Sequence, residues 1–158
     1  APRGGKYCGG TFTVTTHVYQ GFTTPATPDG RCAGTPLADA ISPVQGLDTN
    51  GPIAYMTSAS KLPHKILYNG DQLNIRFSPS ALQGGGQKKI RDLIETYFKL
   101  GGMQVQFNVV GTDVLLDAQK NPDEYRNLIV RIAGYSAYFV ELRKPVQDDF
   151  ITRTAQSI

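Results

Sequence analysis

Near the end of the chain, an apolar β-branched run, Leu128-Ile129-Val130-Arg131-Ile132, meets a single glycine two residues on. It then passes at once into Tyr135-Ser136-Ala137-Tyr138-Phe139. The run reads as a strand. Gly134 has no Pro, Asn or Asp beside it to mark an ordinary hairpin turn. A glycine lodged among bulky neighbours has one of two uses. Either its missing side chain relieves a bulge or a close backbone approach, or its own Cα–H is needed. Spacing alone leaves both open.

The rest of the second half alternates strands with helices. Ile90, Leu93, Ile94, Tyr97 and Phe98 follow the i, i+3, i+4, i+7, i+8 spacing of an amphipathic helix. Gly84-Gly85-Gly86 and Gly101-Gly102 frame it. Val105, Phe107 and Val109 then alternate with Gln104, Gln106 and Asn108, which predicts a strand with one apolar and one amide-rich face. That amide face is either a solvated surface or the polar interior of a barrel wall. Asn121-Pro122-Asp123-Glu124 has the layout of a helix start, with a cap, a proline at the first helical position and an acid at the third. Pro145 opens a final helix with Val146, Phe150 and Ile151 on its inner face and Asp148 and Asp149 toward its positive end. Strands alternating with helices point to α/β organisation.

Residues 1–86 carry most of the glycine and proline. Thr11–Thr16 alternates β-branched and aromatic residues and predicts a strand. A loop-rich stretch follows from Gly21 to about Gly51, with a short helical turn over Thr35–Ala40, another brief helix over Ser60–Leu67 and a short strand over Leu73–Phe77. So little local core is expected here that this half should pack on something further.

At 158 residues the chain suits one domain. Charged residues make up 18% and the net charge is +3, too small and too dispersed for a nucleic-acid track. Lys88-Lys89 and Arg143-Lys144 read as solvated helix-side charges. No apolar run approaches the ~20 residues that span a bilayer, and no signal peptide opens the chain, so no membrane and a cytoplasmic location are expected. The chain begins at Ala1 without Met, as a segment of a longer protein would, or after Met excision. Cys8 and Cys32 lie in glycine-rich loops at no metal-ligand spacing, so unpaired thiols and no metal site are expected.

Arg131-Ile132-Ala133-Gly134-Tyr135 closely resembles the Arg-Val-Ala/Ser-Gly-Tyr signature of the glycyl radical enzymes, with Ile132 where Val is commoner. Further blocks similar to that family occur in the family's order. They are Ala26–Arg31, Pro36–Asp39, Ser42-Pro43, Leu73-Asn74 with Phe77, Pro79–Leu82, Val105–Val110, Leu116–Gln119, and Gln147–Asp149 with Arg153-Thr154. The resemblance implies that residues 1–158 form a glycine radical domain region, the last part of a ten-stranded α/β barrel that ends in the radical loop and a final helix. Residues 1–86 would be a loop-rich barrel segment and 87–158 the helix and strand segment around Gly134.

By the same resemblance, Gly134 is the catalytic residue, its Cα–H removed to leave a stored backbone radical. Arg131 and Tyr135 would support the radical loop, while Phe139 reads as core packing. The radical is installed by an activating enzyme that uses S-adenosylmethionine and an iron–sulfur cluster; no cofactor is bound by the chain itself. It then generates a thiyl on a cysteine in a Gly-Cys-Val-Glu type loop upstream. Neither Cys8 nor Cys32 lies in such a loop, so that cysteine must come from a further barrel portion or subunit. The chain alone is expected to be inactive. Ala133–Phe139 and Ala26–Arg31 look like the dehydratase, decarboxylase and lyase branch. In that branch the segment near Thr11–Thr15 faces the substrate, which makes Phe12 and Val14 candidate cavity residues. Glycerol-type dehydratases are similar but carry Tyr about where Phe12 stands, which argues against a glycerol or propanediol substrate. The family also admits a homodimer, and an alternative role as a repair subunit replacing an oxygen-cleaved radical domain.

Overall fold

The computed structural model describes residues 2–157 and is organised about a small parallel sheet. Its central strand β1 (Asn74–Phe77) pairs in parallel with β2 (Gln106–Val109) on one side and β5 (Ala155–Gln156) on the other. Parallel neighbours need a long crossover. Helix α3 (Gly86–Lys99) supplies it between β1 and β2, starting and stopping at the glycine clusters that frame its periodic stretch. A separate antiparallel hairpin, β3 (Ile129–Arg131) with β4 (Ser136–Tyr138), carries Gly134 at its tip. Helices α1 (Thr16–Thr23) and α2 (Gly51–Ser60) precede the sheet, α4 (Thr112–Lys120) precedes the hairpin, and α5 (Lys144–Thr152) follows it.

Alternation along β1 and β2 divides the sheet into two unlike faces. Ile75, Phe77 and Phe107 turn to one side, where Tyr55, Met56 and Ala59 of α2 and Tyr97 of α3 complete an apolar core. Asn74 and Arg76 on β1 lie in register with Gln106 and Asn108 on β2, and all four are buried. A second apolar cluster of Leu115, Ala118, Val130, Ile132, Phe139, Val146 and Phe150 seats the hairpin between α4 and α5. The inner face read from Val146 and Phe150 is therefore real, and Phe139 is core.

A ring of polar contacts joins the loops of the first half to α5. His17 Nε2 lies 3.2 Å from Asp149 Oδ2, Arg153 Nη2 donates to Asp149 and Asp39 at 2.8 Å each, and Thr13 Oγ1 donates to Asp39 at 2.7 Å. Gln45 also donates to Asp149. His17, Asp39 and Asp149 are all buried.

Several local expectations are corrected. Thr11–Thr16 is not a strand; only Thr11 makes an isolated bridge, to Asp71. Val14 and Thr15 take left-handed backbone angles, φ 52° and 85°, and turn the chain into α1. Burial of His17 and Val18 favours that helix over the β-propensity of the segment, a weak preference that tertiary contacts override. Thr35–Ala40 forms no helical turn; its backbone is spent elsewhere, with Thr35 O accepting from Arg31 Nη1 at 2.7 Å. Ser60–Leu67 contains only the 3-10 turn His64–Ile66, since α2 ends at Ser60. Asn121 does stand at the start of a helical segment with Pro122 after it, but the segment is only the 3-10 helix Pro122–Tyr125, and the Asn121 side chain donates to Asp117 at 2.8 Å instead of capping. Helices α2 and α4 also form where the sequence pattern predicts no element. Among the described residues the strands close no barrel, and no helix is long and apolar enough to cross a membrane.

Burial pushes the Asp149 carboxyl up, but the His17 hydrogen bond and the Arg153 charge outweigh it and hold its pKa at about 2. A carboxylate whose pKa is lower folded than unfolded stabilises fully above its unfolded value, and that contribution fades as pH falls through the folded one. Denaturant unfolding from pH 7 to 2 should therefore show about 2 kcal/mol of stability lost below about pH 4 through this group. The stability gap between the wild type and Asp149→Asn should narrow over that interval.

Candidate functional site

Residues 129–131 pair with 138–136, and Ile132 N donates to Tyr135 O at 2.9 Å, so Ala133 and Gly134 form a two-residue tip. Gly134 has φ +78°, whereas Ala133 keeps a negative φ. Left-handed backbone is inexpensive for glycine alone. Crowding is not the reason for a glycine here. A Cβ built on Gly134 would meet only Gln72 Nε2, at an ordinary 3.7 Å. Within the described residues no close approach calls for a glycine, and the positive φ does.

Two-residue hairpins favour turns whose first central residue has positive φ, because those match the strand twist. This tip lacks that feature, and its strands are three residues each. Such a hairpin is marginal by itself and needs support from outside. The support comes from the amide face of β2. Asn108 Nδ2 donates to Arg131 O at 2.8 Å, and its Oδ1 accepts from Arg131 N at 2.7 Å. Gln106 Nε2 donates to Ile132 O at 3.0 Å, and its Oε1 accepts from Gly134 N at 3.0 Å. Two side-chain amides stand in for the neighbouring strand that the hairpin does not have. The amide face is thus neither solvated nor lining an open interior; it is bonded to the backbone of the loop. Its alternation was legible, but its target was not, because Gln106 and Asn108 bind main-chain groups that carry no sequence signal.

The candidate residues fall into two groups. Arg131 and Gly134 come together at Gln106, with Arg131 Nε donating to Gln106 Oε1 at 3.3 Å and Nη1 reaching Ser136 Oγ at 3.5 Å. Tyr135, beside Gly134, is 45% exposed. Phe12 and Val14 lie on the loop before α1 and are 53% and 41% exposed. Among the described residues they make no hydrogen bond to the clasp, but Thr11 beside them bridges Asp71, next to the Gln72 that faces Gly134. Cys8 and Cys32 are exposed and unpaired. Among the described residues no three His, Cys, Asp or Glu side chains are grouped to hold a metal.

The sequence pattern of the family described as "Glycine radical" matches residues 37–140, a span that includes β1, β2 and the whole hairpin. The chain belongs to the glycyl radical family. Relatives are dehydratases and decarboxylases. A probable dehydratase, YbiW, of Escherichia coli is 45% identical over 97% of the chain and 19% of its own length. The indoleacetate decarboxylase of Tractidigestivibacter scatoligenes is 49% identical over 89% of the chain and 16% of its length. Among solved structures, the glycerol-bound form of the B12-independent glycerol dehydratase from Clostridium butyricum superposes with a TM-score of 0.95 at 49% identity. It covers 99% of this chain and 20% of its own. The chain thus spans about a fifth of the length of its glycyl radical relatives and corresponds to their C-terminal part.

Asn108→Leu leaves both backbone groups of Arg131 without their side-chain partners. Denaturant unfolding should register a loss of about 2 kcal/mol. Amide exchange at Arg131 should accelerate while exchange in α3, in the other core, stays unchanged.

Proposed function

We propose that Gly134 stores a backbone radical for a lyase of which this chain supplies the C-terminal part. The observation that carries the reading is the tip itself. The Gly134 backbone is fixed by Gln106, while nothing bonds the Cα or crowds the space where a Cβ would stand. A radical at that carbon is shared between the electron-donating amide nitrogen and the electron-withdrawing carbonyl. It is best stabilised when the centre is planar, which a side chain would hinder.

In this reading an activating enzyme with an iron–sulfur cluster gives one electron to S-adenosylmethionine, whose carbon–sulfur bond breaks to release methionine and a carbon radical. The resulting carbon radical takes one hydrogen atom from the Cα of Gly134. Gly134 in turn takes the hydrogen atom of a cysteine S–H, restoring its own C–H and leaving a thiyl. That cysteine and the other walls of the cavity belong to an upstream portion, since neither Cys8 nor Cys32 lies in a Gly-Cys-Val-Glu type loop. The thiyl takes a hydrogen atom from a small organic substrate, whose radical breaks a C–O, C–N, C–S or C–C bond, and the product radical takes a hydrogen atom back from the S–H, in an oxygen-free cytoplasm. Arg131 braces the clasp through Gln106, Tyr135 shields the tip, and Phe12 and Val14 contribute to the substrate cavity. Exposed Phe12, Val14, Tyr135 and Tyr138 give the upstream portion apolar surface to cover.

The test is anaerobic electron paramagnetic resonance with the activating enzyme and S-adenosylmethionine, with and without the upstream portion. The expected signal is a doublet from one α-hydrogen. It should be absent in Gly134→Ala, which costs the fold only about 1–2 kcal/mol for a side chain at positive φ. A doublet in Gly134→Ala, or none in the assembled wild type, contradicts the assignment.

A further inference from the structure

Behind Gln106 the hydrogen bonds do not stop. Gln106 Nε2 donates to Asn74 Oδ1 as well as to Ile132 O, and Asn74 Nδ2 donates to Asp39 Oδ2 at 2.6 Å. Asp39 is in turn paired with Arg153 at 2.8 Å. Asp39, Asn74 and Gln106 are 6%, 8% and 7% exposed, so this is a buried line of polar groups running from a carboxylate to the Gly134 N–H.

The orientation of each amide is dictated by the two ends. A carboxylate paired with arginine can only accept, so Asn74 must turn its NH2 to Asp39 and its oxygen to Gln106. Gln106 must then offer its NH2 to Asn74 and its oxygen to Gly134. The Gly134 N–H can only donate, and the chain closes without conflict. All three bonds point the same way, toward Asp39. Hydrogen bonds so aligned in a low-dielectric interior polarise one another. Negative charge at Asp39 enriches the Asn74 oxygen, which enriches the Gln106 oxygen, which draws on the Gly134 N–H.

We propose that Asp39, Asn74 and Gln106 form an amide relay that both latches the Gly134 loop and stabilises its radical by polarising the Gly134 N–H. The inference rests on the radical reading above. An N–H that donates to a polarised oxygen leaves more electron density on the amide nitrogen, the group that donates into the α-carbon radical. Gln106 and Asn74 are positioning residues: neither touches the reacting carbon through a bond or a proton. Arg131 Nε, 3.3 Å from the same Gln106 oxygen, holds that oxygen in place on its second lone pair.

The whole protein, activated anaerobically, would be compared as wild type, Gln106→Leu, Gln106→Glu and Asn74→Ser. Electron–nuclear double resonance in D2O reads the exchangeable amide hydron of the radical glycine. Gln106→Leu should shift that coupling and shorten the radical's half-life against a fixed thiol reductant by about tenfold. Gln106→Glu keeps an acceptor facing Gly134 but loses the donations to Ile132 O and Asn74 Oδ1, so it should hold the N–H coupling nearer the wild type than Gln106→Leu does while still shortening the half-life. Asn74→Ser should shift the coupling while Gln106 stays in place. Wild-type coupling and half-life in Gln106→Leu overturn the relay while leaving Gly134 as the radical site. No radical in the wild type overturns both. One measurement needs no variant. In the radical-free wild type the Gly134 amide should exchange at least about a hundredfold more slowly than an open hairpin tip. Free exchange there contradicts the relay.

Discussion

Two side-chain amides replacing a missing strand are the contact on which the rest of this structure depends. The β3–β4 hairpin is too short to stand alone, and its turn does not impose the twist that would hold it. Asn108 and Gln106 each offer one donor and one acceptor to its backbone, as a strand would. A side-chain clasp differs from a strand in one useful respect. It fixes the backbone N–H of Gly134 without another main chain of this structure crowding the Cα.

That arrangement explains why the sheet has two faces of opposite character. The apolar face, built on Ile75, Phe77 and Phe107, is an ordinary core against α2 and α3. The face carrying Asn74, Arg76, Gln106 and Asn108 is buried yet polar, which is costly unless every group finds a partner. The hairpin backbone and Asp39 are those partners for the three amides. Arg76 is only partly matched: its Nη2 donates to Thr112 Oγ1 at 3.1 Å and to the Arg153 carbonyl, tying α4 to the segment after α5, while its Nε and Nη1 find no partner among the described residues. Loops that look unstructured by composition are drawn in because Asp39 and His17 are needed to close the polar ring with Asp149 and Arg153.

Legibility followed the kind of force involved. Helix α3, β1, β2, β3 and α5 could be read because their apolar residues repeat at helix or strand spacing between glycine or proline breaks. Residues 11–16 could not, since the alternation of Phe12 and Val14 is overruled by the burial of His17 and Val18 in α1. Helix α2 hides among glycine, proline and small polar residues, and only Tyr55, Met56 and Ala59 betray its inner side. The radical-type loop was legible as a pattern around Gly134. Its support was not, because a hydrogen bond from a side chain to a backbone group leaves no partner residue to find.

The most direct measurement of the central claim is mass spectrometry of the activated protein after brief exposure to air. Oxygen cuts a polypeptide at a glycyl radical. The account predicts a single break at Gly134, dependent on prior activation and lost when Gly134 is replaced. An activated chain that stays intact, or breaks at any other glycine, would contradict it.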